Sequence, residues 1–108
     1  TLKILLETPA YWQAICENPS INPGVVKETL RYEAPLHAMI RTNKQDVEIS
    51  GVKIPENSKL FLIYGSANRD ESQYQDAQDF DIQRFVNKTS DHLAFGYGIN
   101  RCIGSNLD

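Results

Sequence analysis

Ten residues, Phe95-Gly96-Tyr97-Gly98-Ile99-Asn100-Arg101-Cys102-Ile103-Gly104, constrain this chain more than any other stretch, because three glycines and an aromatic ring surround one cysteine. Glycine supplies positive-φ conformations and lets a flat ligand approach the main chain where a Cβ would obstruct it. A thiolate presented on such a loop can ligate iron, and amide N–H groups of a tight turn around Cys102 would lower its pKa and tune a bound metal. Ser105-Asn106-Leu107-Asp108 then reads as a helix opening, whose N-terminal dipole also favours negative sulfur. Taken alone, the loop also admits a plainer reading, a glycine-rich turn around a buried free cysteine.

Upstream, apolar residues at 2, 5, 6, 12, 15 and 16 predict a helix over 2–16, broken near Pro9, with Cys16 as a small buried hydrophobe on its apolar side. Breakers fill 17–24, with Asn22 expected as N-cap and Pro23 at the first position of a second helix over 23–32. The approach to Pro35 stops that helix. On it, Glu28 and Arg31 share a face, and spacing alone makes them a solvated pair worth a few tenths of a kcal/mol. Residues 46–50, 52–54 and 60–64 read as strands, the last apolar throughout and so expected to be covered on both faces. A short helix is expected over 70–75, with Ser66 or Asn68 capping and Arg69 and Asp70 as a surface pair. From 76 to 91 periodicity disappears, and such a stretch in a compact fold is either pinned or functional.

The fold class is therefore mainly α with a small β-sheet. At 108 residues, 41% hydrophobic and 23% charged, the composition is ordinary globular, yet the chain begins at Thr1 and stops where a helix opens. Residues 1–108 are accordingly expected to be an internal fragment rather than an independent domain. The net charge of −3 gives no polybasic signal for nucleic acid, and no apolar run is long enough to span a bilayer. A Cys16–Cys102 disulfide is disfavoured, since the two sites are dissimilar and the chain is cysteine-poor; free thiols in a reducing compartment are expected.

The pattern F-G-x-G-x-x-x-C-x-G resembles the haem-binding loop of the cytochrome P450 monooxygenases. Glu28-Thr29-Leu30-Arg31, followed by Tyr32 and Pro35, resembles the E-x-x-R helix of the same family, and Arg84 in Phe80-Asp81-Ile82-Gln83-Arg84-Phe85 matches the meander arginine that joins that pair. One position departs from the family pattern: Asn100 stands where His or Arg is usual. The resemblance implies a partial P450 fold with helices, β strands, an irregular meander and a Cys-loop. It makes Cys102 the axial thiolate of haem b (iron protoporphyrin IX), with Phe95, Gly96, Gly98 and Gly104 shaping the loop and Arg41 meeting a propionate. Glu28, Arg31 and Arg84 become structural. His37 is expected at a pocket edge and His92 as structural or propionate-adjacent.

The implied activity is insertion of one oxygen atom from O2 into a small organic substrate. Electrons would come from a ferredoxin/ferredoxin reductase-type donor docking near Arg101, in a soluble, cytoplasmic, bacterial-type protein. The oxygen-activating helix is expected outside this chain, which alone would be inactive. Two alternatives stand beside this: a haem-thiolate peroxygenase using peroxide directly, and a non-catalytic haem-binding fragment.

Overall fold

The computed structural model describes residues 1–86 and 92–106. The break expected at Pro9 is present, since α1 (Leu2–Glu7) ends at Thr8 and α2 (Pro9–Glu17) starts on the proline, whose missing N–H costs nothing at a first helical position. A 3-10 turn, Pro19–Ile21, then runs directly into α3 (Asn22–Tyr32). This corrects the expected cap. Asn22 already has helical backbone angles (φ −51°, ψ −45°), and it is Asn18 whose Oδ1 accepts from the Ser20 amide at 3.3 Å and the Ser20 hydroxyl at 2.6 Å.

Leu5, Ile21, Val25 and Ile82 form the buried core, with Tyr11, Ala14, Ile15, Phe80 and Val86 packed against it. Three helices and part of the aperiodic stretch therefore share one apolar centre. The Tyr11 hydroxyl donates to the Phe80 carbonyl at 3.1 Å. Cys16 is exposed, contrary to expectation: α2 uses Tyr11, Ala14 and Ile15 as its inner face, and the next residue turns about 100° away from Ile15. Both cysteines are free.

Two antiparallel pairs make the β structure. β2 (Val47–Ile49) and β3 (Val52–Ile54) form a hairpin turned by Ser50 (φ +50°) and Gly51 (φ +80°), as a two-residue connection requires. β4 (Lys59–Ile63) pairs with β1 (Ala38–Thr42), in register from Ala38↔Ile63 to Thr42↔Lys59. Strand β1 was not expected. Nor is β4 covered on both faces, since Phe61 is 64% and Ile63 52% exposed: the described residues give it one partner strand and no overlying layer.

Tyr64 does not extend β4 but opens a short helix, α4 (Tyr64–Ala67). The helix expected over 70–75 is replaced by turns, in which the Asp70 carbonyl accepts from Gln73 and Tyr74 and its carboxylate accepts from the Ser72 amide at 2.8 Å. Hydrogen bonds from the Ser72 side chain, then its amide, hold the Asp70 carboxyl below its ordinary range. Arg69 does not pair with Asp70; it donates to the Tyr32 carbonyl at 2.9 Å and lies 4.3 Å over the Tyr32 ring, with Glu33 at 3.7 Å. Beyond the cysteine, Ile103–Asn106 is a 3-10 turn; Leu107 and Asp108 of the expected helix opening, and 87–91 of the aperiodic stretch, lie outside the described residues. Among the described residues no helix is long and apolar enough to cross a membrane.

Candidate functional site

Spacing alone makes Glu28 and Arg31 a solvated pair, whereas the resemblance makes them a structural unit with Arg84; in the structure they form a buried cluster. Glu28 and Arg31 are both 0% exposed, and Arg84 reaches them from the aperiodic stretch at 7%. Arg31 Nε and Nη2 donate to the two Glu28 oxygens at 2.7 and 2.8 Å, while Arg84 Nε and the Asp81 amide donate to Glu28 Oε1 at 3.1 and 2.9 Å. Arg31 gives its remaining donors to the carbonyls of Asn68 (2.9 Å), Ala77 (2.8 Å) and Asp79 (2.9 Å). All five guanidinium N–H groups are thereby used, which a lysine ammonium with three could not match. Arg84 adds donors to the carbonyls of Gln75, Asp76 and Asp79. The aperiodic stretch is held by its carbonyls, which stand in for the ladder bonds it lacks.

From this cluster a path of hydrogen bonds leads to the cysteine loop. Asn68, expected as a cap, is 0% exposed, and its Oδ1 accepts from the Leu93 amide at 2.7 Å. The Leu93 carbonyl accepts from Gly96, the Phe95 carbonyl from Cys102 and the Gly98 carbonyl from Arg101, at 2.9, 2.9 and 3.0 Å. Gly96 and Gly98 have φ of +74° and +71°, so the loop does use the conformations its glycines permit. His92 is buried, accepts from the Ala94 amide at Nδ1 and lies 5.7 Å from the Phe95 ring, which makes it part of the wall behind the loop.

These segments enclose a cleft of about 340 Å³. Pro35, Leu36, Met39 and Tyr64 contribute from around β1 and α4, and Ala94, Phe95, Gly96, Asn100 and Cys102 from the loop. Cys102 is exposed there. Arg41 does not line the cleft but lies two residues beyond Met39 on β1 and so on the same strand face. Gly98, Gly104 and His37 are also outside the lining; the His37 carbonyl accepts from Gly65 at 3.0 Å. Tyr64 was not anticipated from the sequence, where it reads as the last residue of a strand over 60–64, whereas the resemblance sets the segment 36–40, with Leu36 and Met39, beside the haem.

Gly96→Ala tests how much the loop depends on backbone rather than space. An added Cβ would meet the Asn100 carbonyl and the Tyr64 hydroxyl at an ordinary 3.8 Å. The expected loss of about 1–2 kcal/mol in denaturant unfolding of the full-length protein therefore comes from φ alone.

The family model "Cytochrome P450" matches residues 21–107. The chain belongs to the cytochrome P450 family. It is 38% identical over 104 residues to the 20-oxo-5-O-mycaminosyltylactone 23-monooxygenase of Streptomyces fradiae, covering 96% of this chain and 24% of that protein. It is 37% identical over 103 residues to a steroid C26-monooxygenase of Mycobacterium tuberculosis, covering 95% and 27%. Among solved structures, P450BioI bound to a fatty-acyl-ligated acyl carrier protein superposes with a TM-score of 0.89 at 38% identity, covering 98% of this chain and 27% of that one. Cytochrome P450 CREJ gives 0.89 at 44%, covering 97% and 26%. The chain thus spans about a quarter of the length of these relatives.

The residues present fit a haem. A flat, largely apolar ring needs an accessible axial donor, an apolar slot and a main chain that does not obstruct it. Exposed Cys102, the largely apolar cleft and the Cβ-less backbone at Gly96 answer these needs.

Proposed function

We propose that this P450 chain is the thiolate-bearing part of a haem monooxygenase, which inserts one oxygen atom from O2 into a small organic substrate with electrons from a ferredoxin-type donor. The observation that carries this is an exposed thiol, Cys102, on the wall of an apolar cleft, held by a loop closed through its own backbone. When bound through Cys102, haem b supplies the oxygen chemistry. The protein's part is different. Cys102 must be deprotonated to ligate, Leu36, Ala94 and Phe95 exclude water from the slot, and Arg41 offers a charge-assisted bond to a ring carboxylate from the strand face that Met39 shares. At Asn100 the cleft offers a neutral amide where the family usually has His or Arg, leaving Arg41 a larger share of that task.

The reduced, full-length protein is expected to give the strongly red-shifted Soret band of thiolate-ligated iron on adding carbon monoxide. A band at the histidine-ligated position, or no haem at all, would overturn the reading. Efficient turnover with peroxide and no electron donor would instead make the protein a peroxygenase.

A further inference from the structure

The structure assigns Asn68 a positioning role for the cysteine loop, exercised through its side-chain oxygen. The consequence for Cys102 rests on the haem-thiolate reading above, whereas the linkage itself does not. Asn68 follows α4 directly and is 0% exposed. Its carbonyl accepts from Arg31 Nη1 at 2.9 Å, and its Oδ1 accepts from the Leu93 amide at 2.7 Å. Leu93 in turn accepts from Gly96, and Phe95 from Cys102, both at 2.9 Å. One buried residue therefore joins the Glu28–Arg31 cluster to the entry of the loop.

The other end of the same amide is a second observation. Asn68 Nδ2 is buried with no hydrogen-bond partner among the described residues. A buried unpaired N–H is costly, and an apolar residue of similar volume would avoid that cost. The carboxamide is held in place for its oxygen. Without that acceptor the part-buried Leu93 amide would lose its side-chain partner, and the turn that presents Cys102 would lose its fixed origin.

The test uses the full-length holoprotein. In the wild type, the Leu93 amide should exchange with solvent as slowly as amides inside α3; exchange at an unprotected rate would overturn the linkage. Asn68→Leu keeps the branched outline, with bulkier methyls in place of the amide atoms, and removes the acceptor. It should increase several-fold the fraction of the reduced carbon monoxide complex that lacks the thiolate Soret position. Asn68→Asp keeps an oxygen, beside a cluster carrying two guanidinium groups and one carboxylate, and should return that fraction to the wild-type level. An Asn68→Leu protein with the wild-type fraction, or a leucine and an aspartate variant equally impaired, would overturn the role. If Asn68→Leu yields no holoprotein, Leu93 exchange and Asn68→Asp decide. If the wild type itself lacks a thiolate band, the haem-thiolate reading falls, while a protected Leu93 still supports the linkage.

Discussion

Glu28→Ala in the full-length protein is expected to remove a large share of the folding free energy without touching the cleft. Removing one partner of a buried ion pair typically costs about 3–5 kcal/mol, and here a single carboxylate serves two guanidinium groups and the Asp81 amide. Arg31, fully buried, would lose its hydrogen-bonded carboxylate and be left with three carbonyl dipoles and the Tyr32 and Tyr74 rings. A loss of that size is roughly two to four orders of magnitude in the folded-to-unfolded ratio, against a total stability of about 5–15 kcal/mol. The readouts are holoprotein yield and the urea midpoint. Glu28→Gln keeps the shape and an acceptor and should fall between the two. Substrate preference in any surviving holoprotein should be unchanged, because Glu28 lies outside the cleft lining. A Glu28→Ala protein with normal yield and midpoint would refute the assignment of Glu28 as the centre of the pin.

Cys102→Ser should show the reverse division between stability and chemistry. The bonds that close the loop here are main-chain: the Cys102 amide to the Phe95 carbonyl at 2.9 Å and the Ser105 amide to the Cys102 carbonyl at 3.1 Å. The side chain is exposed, so the change should alter unfolding of the haem-free protein by no more than about 0.5 kcal/mol. The thiolate Soret signature and substrate oxidation should both vanish, because a serine hydroxyl does not supply the electron donation of a thiolate sulfur. Retained oxidation in the serine variant would remove Cys102 from its proposed place. Together the two variants separate what holds the site from what acts in it.

The sequence made some of this legible and hid the rest for physical reasons. The helix break at Pro9, α3 and the β2–β3 hairpin all follow from residues close along the chain, where proline chemistry and alternation act locally. Strand β1 escaped because its partner β4 begins 17 residues after β1 ends, at Lys59 against Thr42, and its sequence includes Arg41 and Thr42. The helix expected over 70–75 stops after one turn capped by the Asp70 carboxylate, as Asp76 turns to φ +49° and Arg84 takes the Gln75 and Asp76 carbonyls. Cys16 was misjudged because one helical position decides between the inner face and solvent. Spacing correctly placed Glu28 beside Arg31 but made them a solvated pair, and only the resemblance to the E-x-x-R helix treated them as structural. Their burial depends on carbonyls at Ala77 and Asp79, which are 46 and 48 residues from Arg31. Asn68 read as a cap ahead of the expected helix over 70–75, and nothing local marked its oxygen as the acceptor for the Leu93 amide.

Holding the stretch around residues 75–79 by its carbonyls has an evolutionary consequence. Arg31 and Arg84 recognise atoms that every amino acid possesses, at Gln75, Asp76, Ala77 and Asp79. Side chains at Gln75 and Asp79 are free to drift so long as the path of the backbone is kept, whereas Ala77 is held by its fully buried methyl and Asp76 by a φ of +49° that favours Asp, Asn or Gly. The shape of this segment is inherited through two arginines and a glutamate rather than through the segment itself.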